Sequence, residues 1–406
     1  NIMNLKYIPE IDGLRAISVL AVILYHADQT ILPGGFLGVD VFFVISGYLI
    51  TRIIYKNLKN GYFSFLSFYD RRARRILPPL LITCIITIFL ALSFSPADIK
   101  NVGQSLVATL MFASNYFFYL ETDYFNPFND GTPLLHTWSL SVEEQFYIIM
   151  PIILYLSYHW KITKYVTLFL LISFSFYLSV TVVKNNPTLA FYSIHTRAWE
   201  LLVGSTLGIV SSDGFLKSIE KKIANICFAL SLTLLFSSFY FVSHAQSHPS
   251  YITLIPVLSS TILIYVIPYS NLSKYILGNR VFVFVGLISY SLYLYHNPVY
   301  SYIDYHAFNN SEFIKLACIP LLLIFSYLSY RFIETPSRKK ILNSERSKNG
   351  VIFYAIITSV TISLIYFGFF IHTKNGFQSY YSNKLLERGG VLLVDVQAEK
   401  QLIEVI

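Results

Sequence analysis

Glu10-Ile-Asp-Gly-Leu-Arg-Ala-Ile-Ser-Val-Leu-Ala-Val-Ile-Leu-Tyr-His26, followed by Gly34-Gly-Phe-Leu-Gly-Val-Asp-Val-Phe-Phe-Val-Ile-Ser-Gly-Tyr48, is the stretch that decides the fold. Between Arg15 and His26 runs an apolar segment broken only by Ser18 and Tyr25. The pattern predicts a helix with an arginine near one end and a histidine near the other. Eleven residues of helical rise set them roughly 16 Å apart. In a bilayer both side chains are costly, so they are expected to face a protein interior or a wet cavity. The structural alternative is an anchoring arginine that snorkels to the interface and a histidine at the opposite interface.

The rest of the chain extends that reading. Hydrophobic residues make up 55% of it and charged residues 13%, whereas an ordinary soluble domain carries about 25% charge. Apolar runs of about 18 or more residues recur along the whole length. They predict an all-α, polytopic transmembrane bundle of about ten core helices plus one additional C-terminal span. The predicted spans are 14–28, 38–55, 77–95, 139–158, 164–183, 195–211, 222–243, 251–268, 281–299, 313–332 and 351–371. A twelfth apolar segment, 101–120, contains Gln104, Ser105, Ser114 and Asn115 and reads as a half-inserted or surface helix. The first apolar segment follows Lys6 and Glu10 directly and contains Arg15, unlike a cleaved signal.

Charge sets an expected orientation. With the amino terminus inside, the inner loops hold Arg52, Lys56, Arg71, Arg72, Arg74 and Arg75, then further basic residues at each later inner loop. The outer loops hold only Lys100, Lys184, Arg197 and Lys315. This is a positive-inside pattern with the carboxyl terminus outside. The net charge of +8 is therefore explained by topology and does not imply nucleic acid. Cys84, Cys227 and Cys318 stand alone in apolar runs, with neither metal spacing nor a disulfide framework. Residues 1–340 read as the transmembrane domain and 341–373 as a linker and extra span. Residues 374–406 read as a short tail, or as the start of a truncated extracytoplasmic domain, being too few to bury a core.

Four further stretches could carry chemistry. Arg71-Arg72-Ala-Arg-Arg75-Ile-Leu-Pro-Pro79 lies before the third span, where its guanidinium groups suit a phosphate. The prolines suit a helix entry; a plain stop-transfer cluster is the alternative. Leu134-Leu-His-Thr-Trp-Ser-Leu-Ser-Val-Glu-Glu-Gln-Phe-Tyr147 brings His136, Ser139, Glu143, Glu144, Gln145 and Tyr147 within three helical turns of one helix entry. A cap by Ser139 with Glu143 explains the serine, but not two adjacent carboxylates entering a membrane. In Ile194-His-Thr-Arg-Ala-Trp-Glu200, Arg197 and Glu200 are spaced to pair with each other. In Ser289-Tyr-Ser-Leu-Tyr-Leu-Tyr-His-Asn-Pro298, an interfacial aromatic belt would explain the tyrosines and leaves His296 open. His195, His244, His248, His306 and His372 fall in or near outer loops and are expected to be solvated. Hydrolase-elbow, zincin, P-loop and dinucleotide glycine signatures do not occur.

Together these stretches resemble the acyltransferase-3 family of integral membrane acyltransferases over about residues 7–340. The resemblance rests on Ile-Asp-Gly-Leu-Arg15 with His26, Gly38-Val-Asp-Val-Phe-Phe-Val-Ile-Ser-Gly47, the arginine cluster ending Ile-Leu-Pro, Trp138-Ser-Leu-Ser-Val-Glu-Glu-Gln-Phe-Tyr and Tyr290-Ser-Leu-Tyr-Leu-Tyr-His, in that order. It is nearest to bacterial O-antigen and surface-polysaccharide O-acetylases, in which an extra span often precedes a periplasmic SGNH hydrolase-like domain; no Gly-Asp-Ser block follows here. The resemblance implies a multi-pass protein of the bacterial inner membrane, with acetyl-coenzyme A as cytoplasmic donor and no bound cofactor or metal. The implied acceptor is a hydroxyl of a lipid-linked or O-antigen-like lipopolysaccharide glycan. It implies catalytic roles for His26, Arg15, Glu143 and Glu144, and donor binding by Arg71, Arg72 and Arg75. Asp12, Asp40, His136, Trp138, Ser139, Tyr147, Arg197, Glu200 and His296 are expected as substrate contacts or structural support. Two alternatives stay open: a glycan or acyl-donor transporter (flippase) without chemistry of its own, and a transferase for succinyl or longer acyl groups.

Overall fold

The computed structural model describes residues 7–121, 132–216, 218–243, 246–306, 311–338 and 348–380. Its helices are α1 (Pro9–Ala27), α2 (Gly38–Lys59), α3 (Phe65–Ala91), α4 (Pro96–Leu110), α5 (Ser114–Glu121), α6 (Thr137–Ser157), α7 (Lys161–Asn185), α8 (Pro187–Tyr192), α9 (Ile194–Asp213), α10 (Lys221–Phe241), α11 (Leu254–Val266), α12 (Asn271–Ile276), α13 (Arg280–Tyr305), α14 (Ser311–Ser329), α15 (Thr335–Arg338) and α16 (Lys348–Thr373). Among the described residues there is no strand. Seven helices among the described residues are long and apolar enough to cross a membrane: those of Gly35–Lys59, Phe65–Ala91, Thr137–Ser157, Ile162–Asn185, Lys221–Phe241, Ser311–Arg338 and Gly350–Thr373. The protein is a multi-pass, all-α membrane bundle. Each of the eleven predicted spans coincides with a helix. Four of these helices, α1, α9, α11 and α13, fall outside the seven; α1 carries Asp12 and Arg15, α9 carries Arg197 and Glu200, and α11 has only 13 residues.

The charged helices are the inner ones. α1 and α13 lie side by side and run the same way, from the contact of Asp12 with Gly286 at one end to His26 and His296 at the other. α2 packs against α9 at backbone contact. A Cβ on Gly47 would meet the Leu201 carbonyl oxygen at 1.9 Å, and one on Gly204 would meet that of Val44 at 2.0 Å. Lipid is as apolar as leucine, so helices in a bilayer associate through such close packing by small residues rather than by a hydrophobic drive. The glycine of the Ile-Ser-Gly47 motif is thus a packing requirement.

Two expected boundaries differ. The prolines after the arginine cluster do not open a helix. Ser64 caps α3 by accepting from the Ser67 amide, and Pro78 and Pro79 fall inside it. The arginine cluster is therefore helical, and its side chains are fixed in direction by the helix period. The segment 101–120 forms two helices, α4 and α5, broken at Phe112, whose φ is +51°. Neither is long enough to cross about 30 Å of hydrocarbon. α16 lies against α4, where Gly368 approaches the Gly103 carbonyl. Residues 381–406, the greater part of the predicted tail, lie outside the described residues, as does His244.

Candidate active site

Five helices enclose a cavity of about 160 Å3. At one end α1 supplies Arg15, α3 supplies Arg72 and Arg75, and α6 supplies Tyr147. In the middle lie Ser46 of α2, Glu143 and Glu144 of α6 and Tyr290 of α13; at the far end stand Val39, Ser139 and Tyr293. Between these polar groups the wall is apolar, with Phe42, Phe43, Ile45, Leu49, Ile50 and Ile53 all from α2. The helical period explains the selection. Ser139, Glu143 and Tyr147 recur every four residues and share one face of α6, as Tyr290 and Tyr293 share one face of α13.

Each end has its own chemistry. At the arginine end, Arg15 pairs with Asp12 at 3.2 Å, and Asp12 also accepts from Tyr7 at 2.7 Å. Arg72 and Arg75 have no carboxylate within ion-pair distance among the described residues; Arg72 lies over the Tyr147 ring. Two guanidinium groups without an ion-pair partner beside a cavity have the chemistry to suit an anion. Glu143 is held by the Ser46 hydroxyl at 2.8 Å and the Tyr147 hydroxyl at 3.1 Å. Beyond Arg15, Glu334 is fully buried and accepts from Ser291 and from Arg338.

At the far end, the Ser139 hydroxyl lies 2.7 Å from that of Tyr293, which donates to the His136 carbonyl at 3.0 Å. Behind Tyr293 stands a group of three histidines. The rings of His136 and His296 lie 5.4 Å apart, and both lie within 5.5 Å of the Tyr293 ring. His26 stacks on His296 with centroids 5.1 Å apart, and its Nδ1 is 2.9 Å from His296 Nε2. His26 is partly buried and does not line the cavity. The guanidinium and imidazole groups of α1 therefore belong to one axial system, with Tyr293 and Ser139 between them rather than an open polar passage.

Several residues fall elsewhere than expected. Arg71 bonds Ser67 at 2.5 Å and does not line the cavity. Arg74 pairs with Asp70 at 2.8 Å and lies over the rings of Phe353 and Tyr354, tying α3 to α16. Ser139 does not cap α6, which begins at Thr137; its hydroxyl faces Tyr293. Trp138 packs between Phe43 and Phe191, under the guanidinium of Arg197. Arg197 does pair with Glu200, at 3.0 Å, but also with Asp40 at 2.6 Å, in a buried group away from the cavity. His248 is buried there rather than solvated, 2.9 Å from Arg197. The tyrosines of α13 do not form an interfacial belt. Tyr290 donates to the Ile76 carbonyl at 3.0 Å, Tyr293 closes the cavity, and Tyr295 bonds Ser329 at 2.8 Å. Sequence reasoning passed over Tyr293, Tyr290, Ser46 and Glu334. The i, i+3, i+6 spacing of Tyr290, Tyr293 and His296 was the signal that they share a face.

An apolar bundle that holds a cavity with guanidinium groups at one end and imidazoles behind the other defines a multi-pass membrane protein with a candidate active site inside it. Residues 8–331 match the model of an acyltransferase domain, and the chain belongs to that family. A Staphylococcus aureus (strain COL) protein provisionally named an O-acetyltransferase is 32% identical over 377 residues, covering 89% of this chain and 62% of its own length. The O-acetyltransferase OatA of Staphylococcus aureus (strain NCTC 8325 / PS 47) is 33% identical over 362 residues, covering 82% of this chain and 58% of that protein. The chain thus spans less than two thirds of the length of these relatives. No solved structure matches it significantly.

Proposed function

We propose that the protein is a membrane O-acetyltransferase that moves an acetyl group from cytoplasmic acetyl-coenzyme A to a hydroxyl of a cell-surface or lipid-linked glycan. The observation that carries this reading is the cavity itself, with Arg72 and Arg75 unpaired at one end and the histidines behind Tyr293 at the other. The phosphates of coenzyme A suit the arginines, and its slim pantetheine arm suits an apolar channel. The positive-inside charge pattern of the loops supports a cytoplasmic arginine end, where the coenzyme is found.

In this reading His26, which stands beyond Tyr293 rather than in the cavity wall, is the general base, and the thioester end of the donor has to pass Tyr293 and Ser139 to reach it. A neutral imidazole can accept a proton near pH 7. The acceptor hydroxyl gives its proton to His26 as its oxygen bonds to the thioester carbonyl carbon. The carbon–sulfur bond then breaks, and the thiolate takes the proton back from the imidazolium as coenzyme A leaves. Glu143 and Arg15 fix the walls along which the arm would lie. Purified protein in liposomes, given [14C]acetyl-coenzyme A and glycan fragments of the bacterial envelope, tests this. Alkali-labile label on the glycan supports transfer; intact donor and unlabelled glycan contradict it. Label held on the protein would show that His26 or another group is acetylated first.

A further inference from the structure

The histidine cluster contains a hydrogen-bond chain whose direction is forced. His296 Nδ1 lies 2.6 Å from the Tyr293 carbonyl oxygen. A carbonyl only accepts, so Nδ1 carries the hydrogen. In a neutral imidazole the other nitrogen then holds the lone pair, which leaves His296 Nε2 as an acceptor. That nitrogen lies 2.9 Å from His26 Nδ1, so His26 must donate from Nδ1. The lone pair of His26 is thereby placed on Nε2. His296 is itself fully buried, and its ring is held on a second side by the stacked and tilted rings of His26 and Tyr293.

We propose that His296 is a positioning residue that fixes the tautomer of His26, acting as a neutral counterpart of the carboxylate that orients the base in a catalytic triad. Arg15, eleven residues away along α1, does not do this. The chain Tyr293 C=O, His296, His26 orients the ring and selects Nε2 as the basic atom. It also gives the proton taken by His26 a second resting place. An imidazolium at His26 can pass its Nδ1 proton to His296 Nε2 without either ring moving. This inference rests on the assignment of His26 as base, and the experiment separates the two.

The protein in lipid nanodiscs, 15N-labelled at histidine (nine in this chain), reports which ring nitrogen of His26 carries hydrogen, the signals being assigned by their loss in His26→Gln. At neutral pH the native chain shows His26 protonated at Nδ1, and His296→Leu shows a mixture of the two tautomers. His26 protonated at Nε2 in the native chain overturns the proposal. In transfer from [14C]acetyl-coenzyme A, His296→Leu lowers kcat about a hundredfold with KM for the donor unchanged. His296→Gln, whose amide oxygen can accept from His26, recovers to within about tenfold of the native rate. Equal rates for the native chain and His296→Leu, or no recovery in a folded His296→Gln, overturn it as well. His26→Ala at the native rate would instead remove the base assignment and leave the tautomer result standing.

Discussion

The guanidinium of Arg72 lies over the ring of Tyr147, 5.8 Å from its centre, and meets no carboxylate at ion-pair distance among the described residues. By contrast, the head groups of Arg71 and Arg74 are already engaged, each by a residue four positions earlier in α3, Ser67 and Asp70. The cluster is thus divided by the helix period into an unsatisfied pair that faces the cavity and a satisfied pair that does not. Arg72→Ala and Arg75→Ala are each expected to raise KM for acetyl-coenzyme A by about 10- to 150-fold, the equivalent of about 1.5–3 kcal/mol for a charged hydrogen bond. Arg71→Ala is expected to leave it unchanged. Steady-state kinetics with donor as the varied substrate distinguishes them, and equal effects at Arg71 and Arg72 would contradict the division.

The α2–α9 contact leaves no room for a side chain at Gly47 or Gly204. Gly47→Val and Gly204→Val are each expected to push the helices apart at a cost of at least about 1–3 kcal/mol. Since α2 supplies one wall of the cavity, donor binding should weaken along with stability. The melting temperature of the purified protein in detergent, measured with and without acetyl-coenzyme A, checks this. A Gly47→Val protein that melts with the native one and is equally stabilised by donor would count against it.

Arg197 is enclosed by Asp40, Glu200 and His248, all buried. Removing one partner of such a group leaves uncompensated charge, at a cost of about 3–5 kcal/mol. Arg197→Met is therefore expected to reduce the folded yield sharply. The combined Asp40→Leu, Arg197→Met and Glu200→Leu chain should recover much of that loss, because no charge is then left unpaired. Thermal unfolding of the native chain, Arg197→Met and the triple variant reads this directly. A triple variant with native transfer kinetics would show that the group is structural, whereas a stable triple variant unable to bind donor would assign it a part in catalysis.

The positions of the spans were legible because hydropathy alone marks a helix that must satisfy its backbone in lipid. The eleven predicted spans coincide with helices for that reason. Direction within a helix was less legible. Arg71 and Arg72 are indistinguishable by composition, and only the packing of α3 in the bundle decides which of them faces the cavity. Pro78 and Pro79 suggested that a helix begins there, because proline favours a first turn, yet the bundle tolerates them mid-helix. His248 read as a loop histidine because nothing local announces that Arg197, 51 residues away, buries it. The tyrosines of α13 could be assigned to lipid interface or cavity with equal ease until α1 and α6 were placed beside them. Long-range packing supplied what the one-dimensional pattern lacked.

The most direct test of the whole account is single-turnover transfer from [14C]acetyl-coenzyme A by the native chain and by His26→Ala, with donor affinity measured in parallel. The account predicts donor affinity within about twofold of native, since the arginine end is untouched, and a transfer rate lower by about 10²–10⁴, the usual contribution of a general base. A His26→Ala protein that binds donor normally and transfers acetyl at the native rate would contradict it.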